Sequence, residues 1–167
     1  MEKQTGDIEA FRAVGLRPAT PADQEFLRNL FASTRTHELA LMNCDEKQKE
    51  AFIAMQFKAQ SQQYVMNYPL AQNSIILWNE DPVGRLLLDR GELELTLVDV
   101  GLLPTHRGTG IGTCLVQNIV KEAAVAGKPI RLHVLSSNPA RRLYERLGFS
   151  RTGGDAAYLE MMWVPLV

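Results

Sequence analysis

Three glycines at alternate positions, Gly108, Gly110 and Gly112, follow Arg107 and precede a segment with helical apolar periodicity. Glycine enters backbone conformations that other residues avoid, so several amide N–H groups of such a run can point at one ligand. A helix that begins here adds unpaired amides and the positive end of its dipole, and Arg107 adds a full charge. The pattern favours a site for a phosphate-like anion, although a flexible turn would need the same glycines.

The spacing separates three kinds of phosphate-binding loop. A P-loop is excluded because no Lys-Ser/Thr pair follows the glycines. A dinucleotide-binding loop needs a third glycine where Thr113 stands, and an acidic residue after the next strand, where Ser136 and Ser137 stand. A methyltransferase would need the same acidic partner and more strand–helix units than the rest of the chain supplies.

A second motif lies downstream, where Asn138 opens the segment NPARRLYERLGF. Together with Arg107-x-x-Gly110-x-Gly112, this segment resembles the two signatures of the GNAT superfamily of N-acetyltransferases. The resemblance implies acetyl-CoA as cosubstrate, held by its pyrophosphate at the loop, and no metal. The cofactor contacts that it implies are Leu102, Leu103, Arg107, Gly108, Thr109, Gly110, Ile111, Gly112, Thr113, Asn138, Arg141 and Tyr144.

Acetyl transfer from a thioester to an amine needs a stabilised oxyanion and a proton for the departing thiolate. By resemblance, Tyr144 lies beside the cofactor sulfur and is the candidate acid; a core tyrosine is the alternative. The amides around Leu102 and Leu103 would face the pantetheine arm, and one of them would polarise the thioester carbonyl. Asn138 is predicted to bond the same arm, to cap the helix that begins at Pro139, or to do both.

The general base is the least determined part of the predicted site. Some GNAT members carry a glutamate on the strand before the loop, and counting back from Arg107 places Thr96 at that position. A threonine is not a base. Glu94 lies two residues earlier and is predicted to share the same strand face, so it is the candidate base, acting through a water. A solvated surface carboxylate, with water chains carrying the proton, is the alternative.

Changes of apolar period predict the elements that position these residues. Thr20-Pro21 predicts the start of a first helix, and a Gln-rich helix is predicted from about Asp45 to Met66. Two further helices are predicted over 110–126 and 139–147. The predicted strands are Val14–Arg17, Ser74–Trp78, Val83–Leu88, Glu92–Leu103, Ile130–Leu135, Phe149–Thr152 and Tyr158–Val164.

Leu93, Leu95 and Leu97 alternate with polar residues along one of these strands, but the pattern slips at Asp99 and Gly101. The slip predicts a β-bulge or a close backbone approach. The predicted fold is an α+β sandwich: a single GNAT-like domain over residues 1–167, with a mixed, mostly antiparallel sheet of about seven strands flanked by about four helices.

Composition narrows the class of protein further. The 167 residues carry 18 Lys and Arg against 19 Asp and Glu, so neither a nucleic-acid nor an anionic membrane surface is predicted. The two cysteines are too few for a disulfide framework, and the first residues contain charges but no apolar run, so a cytoplasmic protein is predicted. The Gln-rich helix, with Gln56, Gln60, Gln63 and Tyr64, is predicted to wall the acceptor pocket beside Phe31, Arg35 and Tyr68, or to form a homodimer face.

Two functions of different class follow from these patterns. The first is transfer of an acetyl group from acetyl-CoA to a primary amine of a small molecule or protein, by direct attack in a ternary complex. The second is a non-catalytic module that binds or senses acyl-CoA, and the threonine at position 96 motivates it.

Overall fold

The computed structural model describes residues 13–167. Seven strands are found there, named β1 to β7 in chain order: Val14–Pro18, Gln72–Trp78, Asp81–Arg90, Leu95–Leu102, Ile130–Leu135, Ser150–Gly154 and Tyr158–Trp163. The α-helices of the same residues, named α1 to α5, are Gln24–Ser33, Thr36–Leu41, Glu46–Asn67, Ile111–Ala126 and Ala140–Arg146. The mixed α+β architecture predicted from the sequence is confirmed.

The strands form one sheet in the order β1-β2-β3-β4-β5-β7-β6. Neighbouring strands are antiparallel except β4 and β5, which run parallel. A parallel pair needs a crossover connection, and α4 supplies it. The two antiparallel halves of the sheet therefore meet at the β4–β5 junction.

Helices cover both faces of the sheet. On one face α4 and α5 bury a cluster that includes Ile111, Leu115, Leu97 and Leu132. On the other face α1 and α3 contribute a separate buried group: Leu27, Leu30, Phe31 and Ile53, against Ile75 and Leu87 of the strands. Because side chains alternate along a strand, Leu87 points away from the cluster that holds its neighbours Leu86 and Leu88.

A bulge at Val98 divides strand β4. Leu88 of β3 pairs with Leu97 and Leu87 pairs with Asp99, so Val98 has no partner of its own. Before the bulge Leu95 and Leu97 face the α4–α5 cluster, and after it Val100 packs against the same cluster. The extra residue reverses the alternation, and Asp99 consequently lies on the α1–α3 face. The bulge predicted from the slip in the apolar pattern is therefore found, and it lies at Val98.

One strand and one helix depart most from the prediction. Strand β4 begins at Leu95 and not at Glu92, because Gly91 to Glu94 form a turn in which Lys128 Nζ donates to the Gly91 carbonyl oxygen at 2.9 Å. Helix α2 was not predicted because its six residues are too short to show a period. The charged start of the chain, for which no secretory signal is predicted, lies outside the described residues up to residue 12.

Asp23 fixes the entry to α1. Both its carboxylate oxygens accept hydrogen bonds of 2.8 Å from Arg17 of β1, and the Thr20 amide donates to the same carboxylate at 2.8 Å. These bonds hold the pKa of Asp23 well below its ordinary value of 3.8, and the bonds from Arg17 lower it most. The carboxylate therefore joins the first strand, the 3-10 turn at Pro21 and helix α1.

Asp23→Asn is expected to lower the melting temperature at neutral pH and to lose that effect in acid. A depressed folded-state pKa stabilises the protein above the unfolded-state value and is lost as pH falls toward the folded-state value. The difference in melting temperature between the native protein and the variant should be constant above about pH 5 and shrink below about pH 4. A difference that stays constant down to pH 2 would show that Asp23 acts by packing alone.

Candidate functional site

A wedge-shaped gap opens between β4 and β5. The two strands pair only where Leu95 to Leu97 meet Ile130 to Leu132. Beyond these residues β4 stays on β3 as far as Leu102, and β5 stays on β7 as far as Leu135. The bulge at Val98 stands where the strands part, because a bulge bends the strand that carries it and increases its twist.

The glycine loop stands at the open end of this gap. Gly108 and Gly110 have positive φ angles of 71° and 91°, which place both in the left-handed region. The first hydrogen bond of α4 runs from the Cys114 amide to the Gly110 carbonyl oxygen at 3.0 Å. The amides of Ile111, Gly112 and Thr113 precede that bond, so they are free to bind an anion.

Side chains of the loop hold its shape. Arg107 Nε donates to the Leu102 carbonyl oxygen at 3.0 Å, and the Thr109 hydroxyl donates to the His106 carbonyl oxygen at 2.6 Å. Ile111 is fully buried in the core, so only its backbone is offered to a ligand. A β-carbon on Gly112 would lie 3.5 Å from Leu143 of α5, which places the first turn of α4 in contact with that helix.

The amides of Leu102 and Leu103 point in opposite directions, as consecutive peptides of a strand do. The Leu103 amide donates to the Val83 carbonyl oxygen at 2.8 Å, so it is engaged by β3 and cannot polarise a thioester. The Leu102 amide therefore points away from β3, into the gap that β5 leaves. Of the two amides predicted to face the cofactor, only that of Leu102 is free of a hydrogen bond to β3.

Residues of the second motif form the other wall. Asn138 Oδ1 accepts from the Ala140 amide at 2.9 Å and so caps α5, which is one of its two predicted roles. Arg141 lies on the exposed side of α5, with Nε 3.4 Å from Glu145. The contact with the cofactor that is predicted for Arg141 would therefore be made by an exposed cation on the surface of α5.

Tyr144 of α5 is 4% exposed and packs against Phe149, with 5.6 Å between ring centroids. Among residues 13–167 no side chain or backbone group hydrogen-bonds its hydroxyl. Burial, aided by the negative charge of Asp99, raises the pKa of Tyr144 to about 12. The phenol is therefore protonated at neutral pH, as a proton donor must be.

Asp99 faces the gap from the α1–α3 side, and sequence reasoning missed it. Its Oδ2 lies 3.8 Å from Nη1 of Arg85, and burial raises its pKa, partly offset by Arg85 and by the Val100 amide. Burial and the same Asp99 charge also raise the pKa of Tyr64 on α3. The signal was present in the sequence: Asp99 is the residue at which the apolar alternation slips.

Glu94 lies at the other end of β4 from the glycine loop. Its two carboxylate oxygens accept hydrogen bonds of 3.0 and 3.2 Å from Arg131. The position falls before Leu95, where β4 and β5 are paired and the gap is closed. Thr96, two residues further along, is buried and lies on the same face of β4 as Asp99.

Comparison with known families agrees with this geometry. The model of the acetyltransferase (GNAT) domain matches residues 71–151, which contain β2 to α5 and the glycine loop. Residues 71–151 form a GNAT acetyltransferase domain. Both walls of the gap and most of the second motif fall inside the GNAT domain. Helices α1 to α3 fall outside it.

One curated relative is similar to part of the chain. The [ribosomal protein bS18]-alanine N-acetyltransferase of Haemophilus influenzae is 33% identical over 79 residues, 47% of this chain and 54% of that protein. The match thus spans about half the length of the relative.

Solved structures share the fold at low sequence identity. The PaiA N-acetyltransferase of Thermoplasma acidophilum, solved with coenzyme A, aligns with a TM-score of 0.67 and 17% identity, covering 91% of this chain and 99% of that one. The histone acetyltransferase HPA2 and related acetyltransferase of Corynebacterium glutamicum aligns with a TM-score of 0.64 and 21% identity, over 93% and 98% of the two chains. These likenesses show the GNAT fold.

Residues 13–167 contain neither a cluster of metal-binding side chains nor a membrane-spanning helix. No group of three or more His, Cys, Asp or Glu residues is placed to hold a metal ion there. In the same part of the chain, no helix has the length and apolar character to cross a membrane.

Proposed function

We propose that the protein transfers an acetyl group from acetyl-CoA to a primary amine of a small molecule or protein, by direct attack in a ternary complex. The observation that carries the proposal is the gap between β4 and β5, which begins where their pairing ends after Leu97 and Leu132. The glycine loop and Tyr144 border it on the α4–α5 side, and Asp99 borders it on the other. Donor and acceptor can thus approach one point from opposite sides.

On the donor side, the free amides at the start of α4 hold the pyrophosphate of acetyl-CoA, and the Leu102 amide polarises the thioester carbonyl. Asn138 and Arg141 stay proposed contacts to the pantetheine arm and a phosphate. Tyr144 donates its proton to the leaving thiolate. The solved relative that holds coenzyme A supports this choice of cosubstrate.

On the acceptor side, we propose Asp99 as the base in place of Glu94. A raised pKa brings a carboxylate closer to the range in which it can take a proton from an ammonium group near neutral pH. Glu94 is held by Arg131 at the closed end of the gap. The proton passes from the amine to Asp99, directly or through one water, before or during attack on the carbonyl.

A test of the whole proposal is release of the coenzyme A thiol in the presence of a panel of amines and peptides. The relative's name supports peptide α-amines as members of the panel. Binding of acetyl-CoA without thiol release for any acceptor would favour the sensing module instead.

The free thiols of Cys44 and Cys114 agree with the reducing cytoplasm that we propose as the location of the protein. The homodimer face on α3 and the absence of nucleic-acid binding stay predictions.

Tyr144→Phe is expected to fold, bind acetyl-CoA normally and lose turnover by roughly ten-fold to a thousand-fold. The ring keeps its contact with Phe149, and only the hydroxyl is removed. The measurement is kcat, with acetyl-CoA binding followed by calorimetry. Acyl donors whose thiol is more acidic than that of coenzyme A should restore part of the loss, because their thiolate leaves without help. Full activity of the variant would make Tyr144 a packing residue.

A further inference from the structure

Arg85 of β3 is deeply buried, yet most of its hydrogen-bonding capacity is unused. The residue is 8% exposed, and its Nε donates to Asn73 Oδ1 at 2.9 Å. The distance of 3.8 Å from Nη1 to Asp99 is too long for a hydrogen bond. A guanidinium carries five N–H donors, and buried donors are normally paired. Among residues 13–167 the four terminal N–H groups of Arg85 have no hydrogen-bond acceptor.

The terminal nitrogens of Arg85 face a cavity. The side-chain atoms of residues 13–167 that lack both solvent and a partner are Arg35 Nε and Gln56 Oε1, so the terminal nitrogens of Arg85 are not sealed in protein. A cavity of about 240 Å³ lies between α1, α3 and the strands, and Arg85 lines its sheet side. Its other walls include Leu27, Phe57 and Leu87, with Ser61, Tyr64 and Asn73 as polar groups.

The cavity and Asp99 lie on the same sheet face, with Arg85 between them. Leu87 of the cavity wall pairs with Asp99, and Arg85 pairs with Gly101 in the register of β3 and β4. The Arg85 guanidinium also lies 5.5 Å from the centroid of the Tyr64 ring, which limits its movement. A fixed cation therefore lies between the proposed base and the cavity.

Resting on the proposed function, we propose that this cavity is the part of the acceptor site that takes a carboxylate, and that the acceptor is a small amine with a carboxylate at its other end. The amine lies at Asp99 and the carboxylate accepts two hydrogen bonds from the terminal nitrogens of Arg85. A guanidinium is the side chain best matched to that bidentate geometry. Leu27 and Phe57 line the cavity on the far side of Arg85 from Asp99, where the carboxylate end of the acceptor enters.

An alternative is that Arg85 acts only on the charge of Asp99 and binds no acceptor, and this role makes a different prediction. Such an arginine affects every amine acceptor equally, because it acts on the base. A carboxylate site affects only acceptors that carry the anion. The ratio of kcat/KM for an acid and for its methyl ester separates the two roles.

The experiment uses glycine, 4-aminobutanoate and 6-aminohexanoate, each beside its methyl ester, as acceptors for the full chain. The native protein is expected to prefer at least one acid over its ester by about ten-fold to a hundred-fold, the range of a charge-assisted pair. Arg85→Gln should remove this preference, and Arg85→Lys should keep part of it. Arg90→Gln should leave it unchanged, because Arg90 lies on the same strand, outside the cavity, and pairs with Glu122. Equal kcat/KM for every acid and its ester in the native protein overturns the proposal.

A second variant covers the case in which the Arg85 variants do not fold. Ser61→Leu fills the cavity from α3 and leaves Arg85 in place. It should raise KM for the preferred acid by ten-fold or more and leave KM for ethylamine unchanged; an unchanged KM for the acid overturns the proposal.

Failure of the proposed function is recognised separately, as binding of acetyl-CoA without transfer to any amine. The cavity is then tested by calorimetric titration of 6-aminohexanoate into the protein loaded with coenzyme A. Saturable binding that Ser61→Leu removes supports the carboxylate site, and no binding overturns it.

Discussion

Gly110→Val is expected to abolish the rise in melting temperature that coenzyme A and acetyl-CoA give. A ligand at a hundred times its dissociation constant stabilises the native state by about 2.7 kcal/mol, which corresponds to roughly 5–11 °C for a chain of this length. At a φ of 91°, a β-branched residue must distort the loop and with it the free amides at the start of α4. The measurement is the melting temperature with and without coenzyme A.

Gly127→Val is the matched control because Gly127 ends the same helix that Gly110 begins. It also has a positive φ, of 65°, so both variants should lose about 1–3 kcal/mol of stability from backbone strain. Only the variant at the loop should lose the response to coenzyme A. If the intact protein shows no response to excess coenzyme A, the anion site at this loop is refuted.

Asp99→Asn is expected to lower turnover at neutral pH by roughly a hundred-fold to a thousand-fold, the range for loss of a positioned base. The loss should shrink as pH rises toward the pKa of the acceptor amine, where the amine is already neutral. The raised pKa of Asp99 also sets the acid limb of the native profile: activity should rise with pH as the carboxylate ionises, and at a higher pH than for an ordinary aspartate. The measurement is kcat/KM against pH for one amine.

Glu94→Gln is the control for this profile. The variant breaks the ion pair with Arg131 but leaves Asp99 and the gap untouched. Its pH profile should run parallel to that of the native protein. A profile of Asp99→Asn that is parallel as well would remove Asp99 from the mechanism, and a selective loss in Glu94→Gln would return the role to Glu94.

Local chemistry made much of the fold predictable. Pro21, Pro69 and Gly127 mark helix ends whatever the tertiary structure, and the apolar period identifies the strands between them. The glycine loop was predictable because its function depends on backbone conformations that the residue types themselves encode. The short helix α2 has neither a period nor a capping side chain, so nothing in the sequence distinguishes it from a loop.

The acceptor side was less predictable because it depends on register. Counting back along a regular strand from Arg107 leads to Thr96 and Glu94. That count assumes no bulge, and the bulge at Val98 places Asp99 on the same face of β4 as Thr96. Arg85 reads in sequence as an interruption of the apolar strand 83–88, and only its neighbours on β4 and α3 reveal its role. The engagement of the Leu103 amide likewise follows from pairing with Val83, a partner that no local pattern specifies.

The unpaired residue at Val98 makes the site sensitive to chain length at this point more than to residue type. Substituting Val98 changes one side chain, whereas deleting it would remove the bulge and leave β4 a regular strand. Leu97 and Asp99 would then be consecutive residues on opposite faces, so Asp99 and Val100 would keep the faces that they have now, but β4 would lose the bend and extra twist at the point where it parts from β5. A change in the length of β4 at this point is therefore expected to be less tolerated than a substitution of Val98.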